Sequence, residues 1–242
     1  MKFQEIIKNS FKYTASSWIK ILLLGLVIFL ADMSNELSDL GGIAQELRYI
    51  VVIAGFFLGI YQIGFIFRIV EETTHGSDRM PKFDQYFSTF IHGLKEALVT
   101  VIYFIIPFIL VIFGAIYVDD ITGPKSMEFE LIFIISGLFL ASLMYLVYQA
   151  AVLNMANHHG TIRSAFDLKK IFKKLKVMGL ANLGFIYLLT VIFAFFVELS
   201  LSDVKLIILY GLSDFISTFI IAPFILIFIA RTLGLINRTL EN

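Results

Sequence analysis

The stretch that decides the fold reads GIYQIGFIFRIV (residues 59–70), EETTHGSDRMPKFDQYF (71–87) and STFIHGLKEALVTVIYFIIPFIL (88–110). It joins one long apolar run to a charged turn, an amphipathic run and a second long apolar run. A helix needs about 20 apolar residues to cross the hydrocarbon core of a bilayer, and both apolar runs approach that length. The same order of segments recurs elsewhere in the chain, which predicts an all-α, polytopic membrane helical bundle.

The composition agrees with a chain that faces lipid. Of its 242 residues, 59% are hydrophobic and 16% are charged, whereas a soluble domain carries about 25% charged residues. There are no cysteines, which excludes disulfides, thiolate metal sites and cysteine nucleophiles. The N-terminal apolar run is not followed by a small-residue cleavage site, so we expect a retained helix rather than a signal peptide.

Hydropathy predicts six transmembrane helices, at residues 18–33, 49–70, 94–118, 129–153, 177–197 and 206–230. In the second of them, Gly55 and Gly59 form a G-x-x-x-G pattern, which favours close approach of another helix. Pro107 and Pro223 fall inside the third and sixth predicted helices, where a proline frees a carbonyl group and favours a kink.

Three amphipathic interfacial helices are also predicted, each before an outgoing span, because apolar residues recur at helical spacing. Their apolar faces map onto one another with offsets of 80 and 81 residues, which predicts a threefold internal repeat with units 1–82, 83–163 and 164–242. A two-span period is also expected of any regular six-span protein. The three faces are Phe3, Ile6, Ile7, Ser10, Phe11 and Thr14; then Phe83, Tyr86, Phe87, Phe90, Ile91 and Leu94; then Leu168, Ile171, Phe172 and Leu175.

The distribution of basic residues predicts the orientation. Six spans place both termini on one side, and sixteen of the nineteen Lys and Arg residues then fall on that side. The other side has Arg48, Lys125 and Lys205. Because basic residues in short loops mark the cytoplasmic face, we expect a cell-membrane protein with both termini and all three amphipathic helices in the cytoplasm.

The central stretch resembles a known family. The pattern runs Gly59-x-Tyr61, Arg68, Gly76, Met80-Pro81-x-Phe83-Asp84, Gly93-Leu94-Lys95 and Ile102-Tyr103-x4-Pro107. It is similar to that of the archaeal membrane-protein family catalogued as domain of unknown function 4013, which more usually has Leu where this chain has Met80. The resemblance implies a multi-pass archaeal membrane protein. It implies no activity and no catalytic residues, because none is established for the family.

Asp214 is predicted to lie deep inside the sixth span, where a carboxylate costs about 2.5–3.5 kcal/mol on insertion scales. It therefore marks a candidate intramembrane polar site for a small molecule, an ion or a lipid, or else a structural hydrogen bond between helices. Its same-face neighbours include Tyr210 and Ser217, and its candidate partners on other spans include Gln62, Gln149 and Asn182. No catalytic, cofactor or metal motif is present, so we expect a protein that is not an enzyme and has no cofactor.

The lysine-rich segment after residue 167 predicts contacts with membrane lipids. Basic residues near an anionic surface contribute about 1 kcal/mol each, although the same charges also serve as an orientation signal. The candidate head-group contacts are Lys169, Lys170, Lys173, Lys174 and Lys176. Nucleic-acid binding is not expected. Two hypotheses remain: binding or transport inside the bundle, and a structural or scaffolding protein whose basic helices bind anionic lipid or a cytoplasmic partner.

Overall fold

The computed structural model describes residues 3–39, 45–122, 127–202 and 216–241. Within these ranges the chain is helical and contains no strand. The helices are α1 (Phe3–Ala15), α2 (Trp18–Asp39), α3 (Gln45–Thr74), α4 (Tyr86–Thr122), α5 (Met127–Asn157), α6 (Leu168–Ser202) and α7 (Ala222–Glu241). A 3₁₀ turn, Ile162–Phe166, precedes α6, and a π-helical turn, Ser217–Ile221, precedes α7.

Four of these helices are long and apolar enough to cross a membrane within the described ranges: Leu47–Thr74, Tyr86–Gly114, Leu131–Asn157 and Ser217–Thr239. A fifth candidate is the pair Gln4–Ala15 and Trp18–Ala31, which is bent by 78°. The all-helical prediction and several apolar spans are therefore confirmed. The count of six spans stays a prediction, because the first and fifth predicted spans are not among these four and residues 206–215 of the sixth lie outside the described residues.

The second predicted amphipathic helix is not a separate element. Residues 86–122 form one continuous helix, α4, without a break between the amphipathic run and the apolar run. Tyr86, Phe87 and Leu94, predicted to form an apolar face, are exposed. In the third predicted unit, by contrast, there is a break between the amphipathic run and the apolar run. It lies at Gly179, whose φ of 74° and ψ of 140° interrupt α6 after the lysine-rich segment.

The helices meet most tightly at the end of the bundle that contains α1, the 75–85 segment and the 158–167 segment. We call this the basic end. Ser10 of α1 contacts α7 through a 2.9 Å hydrogen bond donated by Thr232. The chain after residue 230, where the predicted sixth span ends, continues as the last part of α7, and Leu233, Leu235 and Ile236 pack into the core.

The close approach of α3 and α4 depends on two glycines that differ from the predicted pair. A Cβ at Gly64 would overlap the Thr89 carbonyl oxygen, and a Cβ at Gly93 would overlap that of Ile60. Gly59 has open space where a Cβ would lie. The contact predicted from Gly55 and Gly59 is therefore not made at Gly59, and the two backbones approach one another one to two turns further along.

Candidate functional site at the basic end

The basic end is held together by Arg231, whose side chain is 1% exposed. Its guanidinium forms an ion pair with Asp78 Oδ1 at 2.7 Å. It also donates hydrogen bonds to the Ser77 carbonyl oxygen at 2.6 Å and to Thr73 Oγ1 at 3.1 Å. The guanidinium carbon lies 4.3 Å from the ring centroid of Tyr13. Asn9 Oδ1 accepts from it at 3.1 Å. One arginine of α7 thus connects α1, α3 and the segment that follows α3.

The charged turn after α3 is fixed by donors from other elements. Arg231 is one of these donors. Lys20 of α2 donates to the Met80 carbonyl oxygen at 2.5 Å, and Tyr13 of α1 donates to the Arg79 carbonyl oxygen at 3.4 Å. Arg68 of α3 donates to Thr89 Oγ1 at 2.9 Å and pairs with Glu72 at 3.1 Å. Lys20, Arg68 and Arg231, which lie in the helices around this turn, are therefore used for packing.

A different set of basic residues lines a pocket. Residues 168–178, which we call the basic arm, lie between the ends of α5 and α7, and a pocket of about 340 Å³ opens there. Three lysines of the arm line the pocket, and no acidic residue of the described ranges does. The described lining residues are Asn154, Asn157, His158, Lys170, Lys173, Lys174, Val177, Met178 and Asn237.

Polar contacts fix one wall of this pocket. Lys174 Nζ donates to Asn237 Oδ1 at 2.6 Å. The Asn237 amide nitrogen donates to Asn157 Oδ1 at 2.7 Å and to Thr74 Oγ1 at 3.3 Å. Asn237 is 1% exposed. Because this buried side chain accepts the hydrogen bond of Lys174, it fixes the position of the lysine ammonium group.

The opposite wall places a histidine beside a lysine. His158 Nδ1 lies 2.7 Å from the Asn154 carbonyl oxygen, so this nitrogen carries the hydrogen and Nε2 is the acceptor of the neutral ring. Lys170 Nζ lies 3.3 Å from that Nε2 and 3.6 Å from Asp167 Oδ2. Asp167 also accepts from the backbone N–H of Lys170 at 3.2 Å, which makes it the N-cap of α6.

Lys173 is the least constrained of the three lysines. It is exposed, and within the described part of the chain it has neither a hydrogen-bond partner nor an ion-pair partner. Lys169 and Lys176 are also exposed, but they do not line the pocket. Of the five lysines predicted as head-group contacts, the structure brings Lys170, Lys173 and Lys174 together and leaves the other two outside.

The predicted intramembrane site is only partly described. Asp214 and Tyr210 lie outside the described residues, whereas Ser217 is buried at the beginning of the π-helical turn. Asn182 donates to the carbonyl oxygen of Met178 in its own helix at 2.8 Å, and Gln62 is partly exposed on α3. The Gln149 amide is buried without a hydrogen-bond partner. This site stays a prediction.

Sequence reasoning missed several residues of the basic end. Asn157 and Asn237 have no motif around them, and the only available signal is their offset of 80, which is within one residue of the repeat offset predicted for these two units. No sequence pattern indicates that Arg231 is buried. Among the described residues there is no group of three metal-ligating side chains that could hold a metal ion.

Comparison with known proteins assigns the chain to a family. The family described as "Protein of unknown function (DUF4013)" matches residues 47–237. The chain belongs to this family. The resemblance predicted from residues 59–107 is thereby confirmed, whereas an archaeal source stays a prediction. No curated protein and no solved structure matches the chain.

Proposed function

We propose that this DUF4013 protein is a multi-pass protein of the cell membrane that binds an anionic lipid head group in the lysine pocket of the basic arm. The observation that carries the proposal is the convergence of Lys170, Lys173 and Lys174 on one pocket whose described lining residues include no acid. Three ammonium groups at one place favour a phosphate group, to which each lysine donates as a point charge.

The apolar residues of the basic arm favour a lipid over a soluble anion. Leu168 is 56% exposed, Phe172 is 54% exposed and Val177 is 52% exposed. An arm that presents these side chains beside lysines has the composition of an interfacial helix, whose apolar side enters the boundary between head groups and acyl chains. Its lysines then lie at the depth of the head groups.

The proposed topology has six spans with both termini in the cytoplasm. The 16-to-3 distribution of basic residues supports this orientation, since the basic end then faces the anionic cytoplasmic leaflet. The contacts of Asn237 with Asn157 and Thr74 support a threefold repeat, because Thr74 and Asn157 end α3 and α5 and Asn237 lies in the last part of α7. We propose a binding or scaffolding role rather than a catalytic one.

The test is the unfolding midpoint of the detergent-purified full-length chain during titration with phosphatidylglycerol or phosphatidylcholine. A ligand that binds the folded state raises this midpoint. We expect a rise with phosphatidylglycerol only. The variant Lys170→Gln/Lys173→Gln should lose most of the rise, whereas Lys169→Gln/Lys176→Gln, which removes two charges of the same arm outside the pocket, should keep it.

Three outcomes contradict the proposal. An equal loss in both double variants means that diffuse attraction, rather than the pocket, binds the lipid. An equal rise with inorganic phosphate means that the pocket binds soluble anions. The absence of any rise with phosphatidylglycerol means that the pocket does not bind this lipid class.

A further inference from the structure

A second acidic residue lies inside an apolar helix, at a place unrelated to the lysine pocket. Glu96 belongs to α4 and is 8% exposed. It lies about 15 Å along the helix axis from Tyr86, the first residue of α4, at 1.5 Å per residue. It lies within Tyr86–Gly114, which is long and apolar enough to span a membrane, and the residues that follow it are predominantly apolar.

One hydroxyl group contacts an oxygen of this carboxyl, and a second hydroxyl group contacts the first and the backbone of Glu96. The Tyr148 hydroxyl of α5 donates to Glu96 Oε1 at 3.1 Å. Thr100 Oγ1, one turn further along α4, lies 3.0 Å from the Tyr148 hydroxyl oxygen and 2.9 Å from the carbonyl oxygen of Glu96. The other carboxyl oxygen, Oε2, is buried without a hydrogen-bond partner.

No cation compensates this carboxyl. Within the described part of the chain, Glu96 makes no ion pair, although Lys95 is its neighbour in sequence. The charged and titratable groups of the packed elements have other partners or positions. Arg68 and Glu72 of α3 pair with each other, and Asp167 pairs with Lys170. Tyr145 of α5 and Tyr103 of α4 contact the Tyr148 ring. His92 of α4 stacks on Phe67, and Arg163 is exposed.

An isolated carboxylate is not buried in its ionised form, because loss of hydration without a counter-charge costs several kcal/mol. The arrangement at Glu96 instead matches a neutral carboxylic acid, in which the carbonyl oxygen Oε1 accepts from Tyr148 and Oε2 carries a hydrogen. Oε2 has no hydrogen-bond partner of either kind, and a neutral O–H without an acceptor costs less to bury than a negative charge without a donor or cation.

We infer that Glu96 is an intramembrane proton-binding site that holds its proton at neutral pH. Release of this proton leaves a charge without a partner, so release requires water or a cation to reach Oε2. The unpartnered Gln149 amide, on the residue that follows Tyr148, adds a second buried polar group without a partner to this part of α5. This inference does not rest on the lysine pocket.

Infrared difference spectroscopy of the full-length chain in lipid nanodiscs tests the inference. Between neutral and strongly alkaline pH, the protein should show a protonated-carboxyl stretching band that disappears in Glu96→Gln. The control Glu72→Gln removes a carboxylate that pairs with Arg68 and should keep the band. Tyr148→Phe should keep the band and move it to higher wavenumber, because Oε1 loses its hydrogen bond.

Other results overturn the inference. A spectrum in which the Glu96 signal is a carboxylate at neutral pH shows that the residue is ionised. Loss of the band on addition of sodium or potassium at constant pH shows a cation site in place of a proton site. A band that does not move in Tyr148→Phe contradicts the assignment of Oε1 as the carbonyl oxygen.

Discussion

The amide nitrogen of Asn237 donates a hydrogen bond to Asn157 Oδ1 at 2.7 Å, and these residues are 80 positions apart in the chain. The same nitrogen lies 3.3 Å from Thr74 Oγ1. The ends of α3, α5 and α7 therefore meet at one polar point. The offset of 80 is one residue less than the 81 that the amphipathic faces predict between the second and third units, and Arg68 and Arg231 differ in position by the same 163 residues as Thr74 and Asn237.

Replacing Asn237 should weaken this junction. Asn237→Ala leaves Lys174 without its acceptor and removes the donor to Asn157 and Thr74, in a place that is 1% exposed. A lost buried hydrogen-bond partner costs about 1–3 kcal/mol. We expect a lower unfolding midpoint for the purified protein. Asn182→Ala, which removes a donor to its own helix, should have a smaller effect, and equal effects would contradict the role of the junction.

Arg231 should be the most sensitive charged residue of the described chain. Arg231→Met leaves Asp78 and the Ser77 carbonyl oxygen without their donor, and breaking a buried pair costs about 3–5 kcal/mol. Because Asp78 is itself 72% exposed, the lower end of that range applies. Chemical unfolding in detergent measures the change. Arg238→Gln is the control, since Arg238 is partly exposed and lies 3.7 Å from the same carboxylate. It should lower the free energy of unfolding less than Arg231→Met does, and an equal loss would contradict the role of Arg231.

The sequence predicts helices, their apolar character and the charge of the basic end, but not which helical faces touch. In a bilayer both the packed face and the lipid-facing face are apolar, so periodicity does not distinguish them. Phe11, Phe87 and Phe172 were predicted on apolar faces and are exposed, whereas Ile6 and Ile171 of the same faces are buried. For this reason the convergence of three lysines on a pocket required tertiary structure.

The buried acid was missed for a related reason. Glu96 lies near the predicted beginning of the third span, where a carboxyl group is expected to reach water. Its burial follows from the close packing of α4 against α5 through Tyr148. Glu96 lies within a longer helix than predicted, because α4 continues from the amphipathic run into the apolar run. Hydropathy does not show this continuity, since both runs have the pattern of a helix.

The crossing of α3 and α4 should not tolerate a side chain. In Gly93→Ala, the new Cβ would overlap the backbone oxygen of Ile60, and backbone atoms cannot move away without separating the helices. Overpacking of this kind costs about 1–3 kcal/mol or more. Yield of monodisperse protein and its unfolding midpoint measure the effect. Gly59→Ala, in the facing helix α3, meets open space and should be neutral or slightly stabilising.

The bend at Gly179 should be required for lipid binding by the basic arm. Gly179 has φ 74°, a conformation that costs a residue with a Cβ about 1–2 kcal/mol. Gly179→Ala should therefore reorient the arm and reduce the midpoint rise caused by phosphatidylglycerol. Gly184→Ala, a helical glycine of α6 with open space around it, should leave the rise unchanged. A full rise in Gly179→Ala would separate lipid binding from the bend.

The orientation can be tested directly because the chain has no native cysteine. A single cysteine at Lys169, an exposed residue of the basic arm, should react with a membrane-impermeant maleimide only after the cells are permeabilised. A single cysteine at Lys125, one of three basic residues on the opposite predicted side, should react in intact cells. Both expectations follow from the excess of basic residues at the cytoplasmic face. Labelling of Lys169→Cys in intact cells would show that the topology is the opposite of the one proposed. The basic arm would then not face the anionic cytoplasmic leaflet.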